Sequence, residues 1–169
     1  MELKEIMLKR RSIRKFSNKK ISKEIIETLL HYAMSAPSAC NKQPWEFYVI
    51  TNEEKLKELK NASRFSRYDS PLNIIVCGNL KRSLPLGMAE YWIQDCSAAI
   101  ENILLGVTSL NLGAVWCGLY PQKNAVKKVR EILELDEKII PLGLIHIGYP
   151  DIEAIPRDQY NEKYIHYFE

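Results

Sequence analysis

The stretch MAEYWIQDCSAAIENILLGVTSLNL, Met88–Leu112, decides the architecture. Within it Ile93, Cys96, Ile100, Ile103, Leu104, Val107 and Leu110 recur at three- and four-residue spacing. That period predicts one long helix with these side chains turned inward. Its only charges are Glu90, Asp95 and Glu101. A helix so poor in charge belongs at the centre of a molecule rather than on its surface. Gly113 follows the pattern and is expected to stop the helix.

A central helix needs elements to pack on, and its flanks supply them. Leu3 to Lys9 reads as a short helix with Leu3, Ile6 and Met7 on one face. Ser22 is the expected N-cap of a helix through Ala36, with Ile25, Ile26, Leu29, Leu30, Ala33 and Met34 at helical spacing and Pro37 ending it. Glu46 to Ile50 reads as a strand. Thr51-Asn52-Glu53-Glu54 has the form of a capping box, predicting a polar helix to about Lys60. Asn73 to Cys77, Ala114 to Cys117 and Leu142 to Ile147 are apolar, strand-like runs, and Ala125 to Leu133 is a short helix. Helices alternating with strands, with no repeat and no linker, predict a single α/β or α+β domain over 1–169, its sheet between helices. The tail Asp151–Glu169 is polar yet carries Tyr160, Tyr164, Tyr167 and Phe168. It is expected to pack on this subunit or on a partner.

Composition narrows the function. The chain has 169 residues, 46% hydrophobic and 27% charged, an ordinary globular balance. A chain of this size buries roughly 70% of its unfolded surface and needs no metal or disulfide staple. No apolar run is long enough for a bilayer, and Met1-Glu2-Leu3-Lys4-Glu5 offers no signal-peptide core, so a cytoplasmic protein without a membrane partner is expected. Cys40, Cys77, Cys96 and Cys117 form no C-x-x-C pair, and His31, His146 and His166 are not at ligand spacing to them. No metal site is expected, and the thiols are read as free. Net charge is only +3, but Met1 to Lys20 holds eight Lys or Arg against two acids.

Neither a G-x-G-x-x-G loop nor a P-loop is present, and no nucleophile elbow is. An enzyme built on this sequence would leave its hard chemistry to a bound organic cofactor. Four segments are candidates. Arg10-Arg11-Ser12-Ile13-Arg14 packs three guanidiniums and a hydroxyl into five residues. Arginine forks grip phosphate oxygens, and an extended backbone puts Arg10, Ser12 and Arg14 on one side. A solvated basic patch and a nucleic-acid patch are the competing readings; no helix-turn-helix, zinc-finger or RNP1-like pattern accompanies the charges. Ala36 to Trp45 is a loop stiffened by Pro37 and Pro44, with small residues and the amides of Asn41 and Gln43, which suit an edge such as a pyrimidine-dione. A rigid connection is its plainer account. Trp116-Cys117-Gly118-Leu119 places a glycine after a strand, where it permits close backbone approach or merely a turn. Arg157, beyond Gly148-Tyr149-Pro150, is a possible second cation for a phosphate.

Taken together these segments resemble the nitroreductase family of FMN-dependent oxidoreductases. The resemblance rests on Arg10–Phe16, Ala36–Trp45, Ala98–Leu105 in the long helix, Gly113–Gly118 and Ile147–Pro150, in order along nearly the whole chain. It implies an α+β fold: a mostly antiparallel sheet between helices, with the long helix at a homodimer interface and the C-terminal tail on the partner subunit. It implies two FMN sites at that interface, each built from both chains. Arg10 and Ser12 would hold the phosphate and ribityl chain, with Arg11 close by, and Arg157 would return to the phosphate. Arg14 would reach the N1/C2 edge. Pro37, Ser38 and Ala39 of the other subunit would line the ring, with Asn41 and Gln43 near it. The backbone of Trp116, Cys117, Gly118 and Leu119 would approach N5. No side chain is expected to act as a catalyst; flavin N5 would pass two electrons from NAD(P)H to a nitroaromatic, quinone or similar acceptor in ping-pong fashion. A non-catalytic FMN-binding or redox-sensing protein is the alternative, as is a specialised dehalogenating or flavin-degrading enzyme of the same fold. The short Gly78–Gly87 stretch departs from larger relatives and leaves Arg64–Tyr68 and Tyr91-Trp92 as candidate lids. Nucleic acid is not an expected partner.

Overall fold

In a computed structural model describing residues 2–152 and 154–169, two strands apolar on both sides form the middle of the sheet. They are β2 (Leu72–Asn79) and β4 (Ile139–Gly148). With β1 (Trp45–Ile50) and β3 (Gly113–Gly118) they make a four-stranded sheet in the order β1-β2-β4-β3, antiparallel at every step. Side chains alternate across the pleat, so Leu72, Ile74 and Val76 of β2 face one core while Ile75 and Cys77 face another. The β2–β4 register slips between Val76 and Cys77. This is why Leu142, Ile145 and Ile147 of β4 can all share the first core.

That first core is closed by α2 (Lys23–Met34) and α4 (Tyr91–Ser109). Leu29, Ile100 and Ile103 are fully buried there, each worth roughly 1.5–3 kcal/mol in removed apolar surface. The second core lies under α3 (Glu53–Lys60) and α5 (Lys123–Leu133). α1 (Leu3–Lys9) has no buried residue and lies against α4. The expected α+β arrangement of an antiparallel sheet between helices is present.

Several boundaries differ from the expectation for local reasons. α2 stops at Met34, two residues early: Ser35 shares its N–H between the His31 and Tyr32 carbonyls and Ala36 donates in the tighter three-residue pattern to Ala33, ahead of Pro37. The cap of α3 is Asn52, not Thr51; its side chain accepts from Lys55 N–H at 3.0 Å. α4 begins at Tyr91, because Leu86–Met88 forms a separate turn after Pro85 and Met88 is exposed. Asn111 takes the left-handed position after α4 (φ 56°), so Gly113 is not the helix stop. Gly113 opens β3 instead, where a Cβ would lie 2.8 Å from Ile13 Cγ2. Trp92 is buried over Gly78 and edge-on to Tyr120 at 5.2 Å, which makes it core and removes it as a lid.

Candidate functional site

The basic segment is seated by β3. Ser12 bridges Ala114 in parallel, and Ile13 N–H donates to the Ala114 carbonyl at 2.8 Å. Ile13 is buried against Gly113, which fixes the intervening residues in extended form beside the sheet edge. The tail then returns to α1: Arg157 N–H donates to the Leu8 carbonyl at 3.1 Å, and Arg11 Nη1 donates to the Ile155 carbonyl at 2.9 Å. Between them lies a cleft of about 480 Å³ lined by Met7, Leu8, Arg10, Arg11, Ser12, Arg14, Arg157, Gln159 and Tyr160. Four guanidiniums reach it, and no carboxylate is among its described lining residues. Arg10 Nε is 3.4 Å from Glu101 of α4, and Arg14 Nη1 donates to the Ser12 carbonyl at 3.1 Å; both contacts aim a guanidinium without consuming all its donors. Such a cleft suits a phosphate dianion, which takes several charge-assisted bonds at once.

Beside the arginines runs the outer edge of β3. Leu119 N–H donates inward to the Leu142 carbonyl, so by strand alternation Trp116 and Gly118 present their peptide groups outward. The Gly118 carbonyl accepts from Gln122 Nε2 at 3.1 Å. The outward Trp116 and Gly118 N–H groups are thus aimed past the sheet, at a height set by Ser12 and Arg14. Trp116 is half-exposed, its indole lying over Gly143. A Cβ built on Gly118 meets no atom within 4 Å. Cys117 and Leu119 differ: both side chains are buried, and their peptide groups turn toward β4. The Cys117 thiol points at the Phe65 carbonyl, 3.1 Å away, and burial pushes its pKa up to about 11 against the opposing pull of Arg14. It stays protonated at neutral pH and is no nucleophile.

Pro37, Ser38, Ala39, Asn41 and Gln43 are not brought to the arginine cleft of the same chain. They form a compact loop over α4. Cys40, Asn41 and Gln43 take left-handed φ values of 49°, 51° and 47°, each costing roughly 1–2 kcal/mol for a non-glycine residue. The loop is held by Ser38 Oγ accepting from Gln43 N–H at 3.0 Å and by Gln43 Nε2 donating to Asn41 Oδ1 at 3.0 Å. Ala39 N–H donates to Asp95 Oδ1 of α4 at 2.8 Å. Asp95 was legible only as one of three acids of the long helix. Gln159 carried no local signal, and Tyr160 stood out only as part of an aromatic tail expected to pack.

Two other features lie away from this site. A larger hollow of about 950 Å³ runs between α2, α3 and the outer edge of β1, with Ile26, Leu30, Val49 and Leu56 among lysines and acids. None of the candidate cofactor-binding residues lines it, whereas Tyr68 of the candidate lid segment does. On the opposite core face His146 is buried, its Nδ1 2.9 Å from Ser70 Oγ, with Ser70 donating to Asn73 Oδ1 at 2.8 Å. Burial pushes the His146 pKa down to about 4, so the ring is neutral. Among the described residues no His, Cys, Asp and Glu group suits a metal ion, and no helix is long and apolar enough to cross a membrane.

An arginine-lined cleft joined to the open edge of an antiparallel α+β sheet suits a small anionic ligand. Sequence comparison gives it a family: the nitroreductase family model matches residues 7–66 and 64–149. The chain belongs to the nitroreductase family. It is 41% identical over 171 residues to a protein of Archaeoglobus fulgidus named "Putative NADH dehydrogenase/NAD(P)H nitroreductase", covering 98% of this chain and 97% of that one. It is 30% identical to the solved FMN-dependent nitroreductase of Clostridium difficile R20291, with a TM-score of 0.86 and coverage of 96% and 97%. It is also 35% identical over 187 residues to the iodotyrosine deiodinase of Haliscomenobacter hydrossis, covering 93% and 83%.

Proposed function

We propose that the chain is a homodimeric, FMN-dependent NAD(P)H oxidoreductase. The observation that carries this reading is the meeting of Arg10, Arg11, Arg14 and Arg157 beside the outward Trp116 and Gly118 peptide groups. The residues fit FMN: the cleft offers cations for a phosphate, and the adjoining strand edge offers N–H donors and the bare face of Gly118 to a flat ring. Bound FMN would supply two-electron chemistry between NAD(P)H and a nitroaromatic, quinone or similar small acceptor.

The chain's own residues do the rest. Arg10, Arg11 and Arg157 hold the phosphate, and Ser12 donates to the ribityl chain. Arg14 places a fixed positive charge at the N1/C2 edge, where negative charge collects on reduction; a cation preset there favours a two-electron over a one-electron course. The Trp116 and Gly118 N–H groups donate toward N5. Pro37, Ser38, Ala39, Asn41 and Gln43 reach the ring from the partner subunit, which agrees with their distance from the cleft of their own chain. Exposed Ile155, Tyr160, Tyr164, Tyr167 and Phe168 in the tail need a covering surface, and the partner supplies it. The relative named FMN-dependent nitroreductase supports the cofactor. Kinship to a protein named iodotyrosine deiodinase favours, as the second reading, a specialised dehalogenating enzyme on the same flavin site. Anaerobic turnover with nitroaromatics and quinones, against halogenated phenols, separates the two.

A further inference from the structure

Asp95 is the only acid buried among the described residues, at 6% exposure. It lies on the inward face of α4 with Trp92, Cys96 and Ala99, all buried. A carboxylate in such surroundings has lost its hydration, and an apolar side chain would fill the position without that penalty. Packing therefore gives no reason for an acid here. The reason lies in what it holds: Ala39 N–H donates to Asp95 Oδ1 at 2.8 Å, a well-formed hydrogen bond.

Ala39 opens the turn in which Cys40, Asn41 and Gln43 are all left-handed. Non-glycine backbone keeps such angles only where its surroundings over-determine them. The bonds inside the loop, Gln43 N–H to Ser38 Oγ and Gln43 Nε2 to Asn41 Oδ1, are exposed and compete with water. At the loop's exit, Asn79 N–H donates to the Pro44 carbonyl at 2.7 Å and ties it to the end of β2. Among the described residues, the bond to Asp95 ties the turn itself to the central helix.

We propose that Asp95 is the positioning residue of the 37–43 loop: its buried carboxylate grips Ala39 N–H and so sets where Pro37, Ser38, Ala39 and Asn41 meet the flavin ring. What the loop meets rests on the FMN reading above; the grip itself does not. Asp95 touches no cofactor and acts only through the loop.

The test uses the whole purified protein and two readouts. Asp95→Asn keeps an oxygen where Oδ1 stands, and Asp95→Ala removes it. Hydrogen exchange at the Ala39 amide is measured without FMN, and FMN affinity and the bound flavin's visible bands are measured by titration. Asp95→Ala is expected to speed Ala39 exchange by at least about tenfold and to raise the FMN dissociation constant by about tenfold, with shifted bands. Asp95→Asn is expected to bring both back to within about threefold of the parent. Asp95→Ser, whose oxygen stops short of Ala39, replaces the alanine variant if that one does not fold. Parental exchange at Ala39 in Asp95→Ala overturns the grip. A lowered melting temperature with unchanged FMN affinity and bands overturns the positioning role, as does a folded Asp95→Asn that is as impaired as Asp95→Ala. Should the parent bind no FMN, the FMN reading falls, and the exchange data alone decide whether Asp95 holds the loop.

Discussion

Gly118→Val separates ligand contact from protein packing more cleanly than any other single change. A Cβ at Gly118 meets nothing within 4 Å, and the residue lies in a strand without a left-handed φ. The first carbon of the valine side chain therefore meets open space, and valine's preference for strands is worth up to about 1 kcal/mol. The melting temperature should hold or rise slightly. A flat ring resting on this face is in a different position. The Cβ stands about 1.5 Å above Cα, and the valine branches widen it, so a ring in contact must lift or slide. Losing ten to twenty atom contacts at roughly 0.1–0.2 kcal/mol each removes about 2 kcal/mol, or roughly thirtyfold in affinity. The assay is FMN fluorescence quenching beside a melting curve. Gly143→Val is the opposite control: its Cβ would overlap the Trp116 indole, so stability itself should fall by about 1–3 kcal/mol. Parental FMN affinity in a folded Gly118→Val protein would refute the placement of the ring on the β3 edge.

Further outcomes follow from the same geometry. Arg14→Ala should weaken FMN binding by roughly tenfold and slow flavin reduction by NAD(P)H in stopped-flow absorbance; an unchanged reduction rate removes Arg14 from the N1 edge. His146 ties stability to acid. Its folded pKa of about 4 lies below the ordinary 6.5, so the unfolded chain takes a proton that the folded one refuses. Its contribution is complete above about pH 6.5 and is lost as pH falls toward 4, amounting to about 3 kcal/mol over that span. Urea titrations of the parent and His146→Asn should show a flatter acid limb in the variant; parallel limbs contradict the assignment. Light scattering at micromolar concentration should give a dimer, and a monomer that retains FMN contradicts the shared site.

How much of this was legible in the sequence depends on range. Arg10 to Arg14 announced an anion site because three guanidiniums within five residues are a local pattern, and β3 supplied the extension that puts Arg10, Ser12 and Arg14 together. The far wall of the cleft was harder. Arg157 could be guessed from its charge, but Gln159 and Tyr160 come from a tail anchored at Leu8, a contact that no window of sequence contains. Asp95 stood in the sequence merely as one of three acids of the long helix, and its partner lies 56 residues away. Strand parity separated Trp116 and Gly118 from Cys117 and Leu119, a division invisible until Leu119 N–H was seen to pair with Leu142. The misplaced stops were competitions between neighbours: Asn52 outbid Thr51 as a cap, and Asn111 ended α4 before Gly113 was reached.

The central claim is that these arginines and this strand edge hold FMN for electrons from a nicotinamide. Its most direct test is an anaerobic visible spectrum of the purified protein, supplemented with FMN if colourless, then titrated with NADH and with NADPH. A tight one-to-one yellow complex per chain that bleaches with at least one donor is expected. A protein that takes up no FMN, or a yellow complex that neither donor bleaches, would contradict it.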